Sequence, residues 1–200
     1  MSFNPSAPDT GPKGNIELIP EGPTPARCAR VIEIGVQKND LHPEYGEKNK
    51  VVIAFSLPNH KININGEEKQ RFISVPFGIS MSNNEASTMA QYVKALNPHA
   101  QNLGEFLDRP CQINIAHYTK RDGNTGERID SVSPIMPGYE VAELDTEPFW
   151  FQWDNPDPRT WEMIPQFTKD LIQEAVNYPG SKVQEMVDSL SNDNTDDLPY

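Results

Sequence analysis

The chain has 200 residues, enough for one sizeable domain with appendages and too few for two full ones. Hydrophobic residues make up only 36% and proline fills 19 positions, so part of the chain should be irregular, and no apolar run approaches the ~20 residues that a membrane-spanning helix needs. The net charge of −12 argues against a nucleic-acid partner only as an average: residues 26–128 hold 13 Lys and Arg against 11 Asp and Glu, and the acidic excess lies outside them.

Residues 1–22 are rich in Pro, Gly and small polar residues and lack the basic-then-apolar pattern of a signal peptide. They are expected to be flexible, in a soluble cytoplasmic protein with no membrane partner. Cys28–Val36 reads as a first strand and Lys50–Leu57 as a second, in which Val51, Ile53, Phe55 and Leu57 share one face and Phe55 belongs to the core. The connection between them carries turn residues with a basic, aromatic flavour. Asn65-Gly66, a strong hairpin signal, leads into a third strand, Arg71–Phe77. The period then changes from 2 to 3.6. Ser82 and Glu85 form a capping-box pair for a helix carrying Met89, Val93 and Leu96, which Asn97-Pro98 stops. A short helical piece, Leu103–Leu107, precedes two further strands, Cys111–Lys120 and Arg128–Ile135, joined by a Gly-containing loop. Cys28 and Cys111, the only cysteines, form no zinc-ligand spacing and are expected as small buried residues, with no metal and no cofactor.

The order strand, strand, strand, helix, strand, strand predicts a mainly β fold: a five-stranded OB-like Greek-key barrel over residues 23–147, its helix joining strands three and four. Residues 148–190 add an aromatic cluster of Phe149, Trp150, Phe151 and Trp153, expected to pack rather than to bind. Two helices follow, Pro165–Asn177 with a stripe of Phe167, Leu171, Ala175 and Val176, and Ser181–Leu190 with Val183, Met186, Val187 and Leu190. Both stripes are expected to dock on the barrel or on a second subunit, which leaves a homo-oligomer open. Residues 191–200 read as a disordered acidic tail.

That tail closes on Asp196, Asp197, Leu198, Pro199 and Tyr200. A terminal ring and an aliphatic residue can enter a partner's pocket, the free carboxylate can meet a cation there, and the aspartates add longer-range attraction. The tip resembles that of bacterial and phage single-stranded DNA-binding proteins, with Tyr where the bacterial family usually has Phe. A second, longer similarity to small phage-encoded members runs over residues 22–177, through Gly22, Ala26-Arg27, Ile34-Gly35-Val36-Gln37, Val51–Leu57, Gly66, Pro110-Cys111 and Gly126. The resemblance implies an OB-fold, sequence-tolerant binding of single-stranded DNA, a role in phage replication or recombination within the host cytoplasm, and recruitment of replication or recombination proteins through the tip.

Such binding needs rings for bases and cations for phosphates. Tyr118 is displayed opposite the face of Ile113 and Ile115, beside Lys120, Arg121 and Arg128, and is the foremost stacking residue. Tyr45, Phe72 and Phe77 are secondary stacking residues, and Arg27, Arg30, Lys38, Lys48, Lys50 and Arg71 are expected at phosphates. The anionic tail is expected to compete with DNA for this mildly cationic surface. The scattered His42, His60, His99 and His117, with no GxSxG turn, phosphate loop or HExxH, point away from an enzyme. The competing class is a non-catalytic protein-interaction or virion-structural β-domain whose acidic end is incidental.

Overall fold

A computed structural model describes residues 17–39, 42–64 and 66–193. Residues 1–16 and the tip Asp196–Tyr200, with the expectations attached to them, lie outside the described residues. Strand β1 (Gly22–Gln37) is 16 residues long and serves two cores at once. Its register shifts between Cys28 and Arg30, which reverses the alternation, so that Ala26 and Cys28 before the shift and Val31 after it reach the same core. Ile32 and Ile34 enter a second core. Strand β2 (Lys48–Ile64) alternates in step: Val51, Ile53, Phe55 and Leu57 fill the first core and Val52 the second.

A hairpin closed by Gly66, whose amide donates to Asn63 Oδ1 at 2.9 Å, returns the chain as β3 (Glu67–Ser74). The two-residue β4 (Ile79–Ser80) pairs with the start of β2. Helix α1 (Thr88–Leu96) buries Met89, Tyr92, Ala95 and Leu96, and β5 (Pro110–Thr119) and β6 (Thr125–Pro134) complete the first core. Strand β7 (Phe149–Phe151) lies parallel to β1. Helices α2 (Pro158–Glu162), α3 (Gln166–Gln173) and α4 (Lys182–Asp193) cover the second core through Trp161, Ile172 and Val183. The sheet is thus buried on both faces, and each fully enclosed apolar side chain, such as Phe55 or Ile113, contributes about 1.5–3 kcal/mol.

The chain is mainly β, with one sheet of order β3-β2-β1-β5-β6, β4 attached to β2 and β7 to β1; it is antiparallel apart from the β1–β7 pair. The expected closed barrel is not what forms: no ladder joins β3 to β6 among the described residues, and the sheet is open. Side chains and the N-terminal segment occupy that seam. Arg71 of β3 ion-pairs with Glu127 of β6 at 2.6 Å, Glu127 also accepts from the Ile19 amide, and Arg71 donates to the Glu17 carbonyl at 2.5 Å. Residues 17–22, expected to be flexible, are fixed there, with Ile19 buried and its carbonyl oxygen 2.7 Å from His117 Nε2.

Other expectations shift for local reasons. Helix α1 is capped by Ser87, whose Oγ accepts from the Ala90 amide at 3.1 Å, and not by Ser82, whose Oγ accepts from Asn84 in the preceding turn. The buried face of α3 and its exit is Thr168, Ile172 and Ala175, leaving Phe167 and Val176 of the expected stripe exposed. The last helix runs to Asp193, so residues 191–193 belong to it and not to the tail. The aromatic cluster packs as expected, and it does so as part of the sheet. Glu33 accepts from Trp150 Nε1 at 3.0 Å and from the Trp153 amide at 2.9 Å. Both cysteines are buried, which pushes the Cys28 thiol well up and that of Cys111 to about 12, so neither is a ready nucleophile. No helix among the described residues is long and apolar enough to cross a membrane.

Candidate nucleic-acid interface

The basic and aromatic residues expected to meet a nucleic acid separate into three groups. The first serves the fold. Arg27 donates from Nε to the Ala142 carbonyl at 2.9 Å and from its terminal nitrogens to the carbonyls of Val141 and Asp108 at 2.8 and 2.7 Å. Arg30 lies over the Phe72 ring at 4.3 Å and near Phe149 at 5.7 Å, in surroundings dry enough to lower its pKa. Arg71 is held by Glu127, the two side chains being 15% and 9% exposed. These three cations and Phe72 are occupied by internal partners.

The second group gathers where β1 turns into β2. Lys38, Lys48 and Lys50 form no ion pair among the described residues. Lys48 and Lys50 border a groove of about 620 Å³ that Gly78, Ser80 and Ser87 also line. Lys38 borders a smaller hollow of about 220 Å³ with Pro43 and Gly46. Tyr45 ends the turn Pro43–Tyr45, is 61% exposed and lies against His42 with centroids 5.2 Å apart. Phe77 is equally exposed, on the turn that precedes β4. The next residue, Gly78, has φ +67°, and a Cβ there would stand 2.9 Å from the Val51 carbonyl oxygen, so only glycine lets the chain pass so close to β2.

The third group is the β5–β6 hairpin. Tyr118 faces Gly126 across the ladder and is 44% exposed. The space above Gly126 is filled by the Tyr118 ring and the Lys120 stem, 2.7 and 2.8 Å from where a Cβ would sit, so the ring lies across the hairpin beside the cation. Asp122 tightens the tip by accepting from the Asn124 amide at 3.0 Å, and the Asn124 bonds lower its pKa. Arg121 is exposed without an ion pair among the described residues, and Arg128 makes an exposed pair with Asp130 at 3.6 Å.

No protein-family model matches the chain, and a search of curated proteins returns no match.

The second and third groups stand at opposite ends of β1, since Gln37 pairs with Lys48 at one end and Gly22 with Ile115 at the other. A strand of 16 residues spans at most about 50 Å, so the two cation-and-ring clusters would be met in succession along one ligand and not together. Tyr118→Ala is expected to weaken binding of an oligonucleotide by about 1–2 kcal/mol, the loss of one stacked base. Gly126→Val should reproduce that loss by displacing the ring, as read by fluorescence titration; unchanged affinity in both variants would remove the hairpin from the interface.

Sequence reasoning placed Phe167 in an apolar docking stripe and not among the site residues. It is 49% exposed with its ring centroid 5.5 Å from that of Phe77. The signal was present in the spacing: Thr168, Ile172 and Ala175 recur at helical period and are the buried set, which leaves Phe167 off that face.

Proposed function

We propose that the protein binds single-stranded DNA without sequence preference and without catalysis, in the replication or recombination of a phage genome, and that its acidic tip recruits partner proteins. The observation that carries the DNA-binding part of this reading is the occurrence of cations without an ion pair among the described residues together with exposed rings at both ends of one sheet: Lys38, Lys48 and Lys50 with Tyr45 and Phe77, and Lys120 and Arg121 with Tyr118. Bases offer a π-face whatever their identity and phosphates a charge at every step, so this pair of features accepts any sequence. An OB-type architecture is supported by the order β3-β2-β1-β5-β6, with α1 inserted before the fourth main strand, and by the Arg71–Glu127 bridge that draws the outer strands together.

A titration with oligo-dT across a salt series tests it. The expected result is quenching of Tyr and Trp emission and an affinity that falls as salt rises. A protein-interaction or virion-structural module would show neither.

The tail enters through charge. Residues 192–200 carry three aspartates and no lysine or arginine. Removing residues 193–200 is expected to tighten oligo-dT binding a few-fold in dilute buffer, with the difference vanishing at high salt as the competition is screened. A gel shift of the full chain beside the shortened one checks this, and equal affinities in dilute buffer would end the idea of competition.

A further inference from the structure

Phe77 and Phe167 belong to different layers of the molecule, one to the turn that precedes β4 and the other to α3, yet their rings meet edge to face at 5.5 Å with planes 80° apart. Both stand roughly half or more in water, at 61% and 49% exposure. One side-chain and one backbone hydrogen bond tie the helical layer to the sheet. Gln37 Nε2 donates to the Leu171 carbonyl at 2.8 Å, and the Val176 amide donates to the Val36 carbonyl at 2.8 Å, which ties the C-terminal helices to the end of β1. Alternation along β2 puts Lys48 and Lys50 on the side of Val52, whose side chain lies in the same core as Ile172 of α3. Lys50 pairs with Ser80 of β4, three residues beyond Phe77, which brings the cationic end of β2 next to the turn that carries that ring.

We propose that Phe167 and Phe77 form a two-ring platform for a base of the bound strand, which stacks on one ring and meets the other at nearly a right angle, with Lys48 and Lys50 taking the adjoining phosphates, so that the C-terminal helical layer is itself part of the nucleic-acid interface. This rests on the single-stranded DNA reading and extends it to a residue and a layer that the sheet alone would not supply. The platform discriminates by π-surface: a ring at position 167 binds, and an aliphatic side chain of similar bulk does not.

The test uses the full chain and four variants, Phe167→Ala, Phe167→Leu, Phe167→Tyr and Phe77→Ala, titrated with oligo-dT and with an abasic oligonucleotide of equal length at moderate salt. Phe167→Ala, Phe167→Leu and Phe77→Ala are each expected to weaken oligo-dT binding about fivefold to thirtyfold. Phe167→Tyr should stay within about twofold of wild type, and the abasic ligand should be indifferent to all four. Because Phe167 is half exposed, melting temperatures should barely move. If Phe167→Ala were to lose its fold, the comparison of Leu with Tyr still decides the matter. Wild-type binding with unchanged affinity in Phe167→Ala, or full binding by Phe167→Leu, overturns the platform alone, the latter by making the residue a packing element. Failure of the wild type to bind oligo-dT overturns the platform and the functional reading together.

Discussion

Replacing Lys48 and Lys50 together with alanine is expected to reduce the slope of log affinity against log salt by about 1.4, two phosphate contacts at roughly 0.7 each for a single strand. The loss should therefore be negligible near 1 M salt and grow to roughly 60-fold at 50 mM, by extrapolating that slope. The argument rests on what these lysines lack: neither makes an ion pair among the described residues, and both border an open groove. Removing cations that hold no ion pair among the described residues should change the melting temperature little. Fluorescence titrations at several salt concentrations, with a thermal melt on each variant, measure both quantities. A salt slope equal to that of the wild type would take this end of the sheet out of the interface.

Arg71→Leu should do the reverse. The Arg71–Glu127 pair is short and nearly enclosed, and deleting one partner leaves a carboxylate with too few donors at the seam between β3 and β6. Breaking a buried pair costs about 3–5 kcal/mol; some exposure of both side chains argues for the lower end, about 3 kcal/mol. For a chain of this size that corresponds to a fall of about 6–12 °C in melting temperature. Glu127→Gln removes the charge and keeps one acceptor oxygen, enough for the Ile19 amide or for Arg71 but not for both; it should cost less than Arg71→Leu because no enclosed carboxylate is left unpaired. Urea and thermal denaturation report the loss. If instead stability held within about 0.5 kcal/mol while the salt slope of DNA binding fell, Arg71 would be a phosphate contact and the seam would be closed by other means.

The contrast between Lys48 and Arg71 marks what a sequence carries and what it withholds. Alternation is a local property, so Val51, Ile53, Phe55 and Leu57 on β2 and Ile113 and Ile115 on β5 were legible as core, and with them the order of the main strands. Short pairings were not: β4 has two residues and β7 three, too few to display a period. The first strand was expected from Cys28, yet Pro23 and Pro25 already pair opposite Asn114 and Gln112; within β2, Pro58 falls in the irregular stretch between Leu57 and Lys61. In the site, residue type was legible and partnership was not. Arg27 and Arg71 look like any surface cation until Asp108 and Glu127, 81 and 56 positions away, are folded against them. Phe167 illustrates the opposite case, an apolar residue assigned to the interior that the packing of Ile172 turns outward.

The central claim is that the exposed cations and rings on this sheet select unpaired strands, because only an unpaired strand can lay its bases on the rings while its phosphates meet the lysines. It is tested most directly by competing a labelled 30-nucleotide single strand against unlabelled single-stranded and duplex DNA of the same sequence, followed by anisotropy in dilute buffer. The expected result is displacement by the single strand at concentrations at least tenfold lower than by the duplex. Equal displacement by both, or no binding of the labelled strand at all, would contradict it.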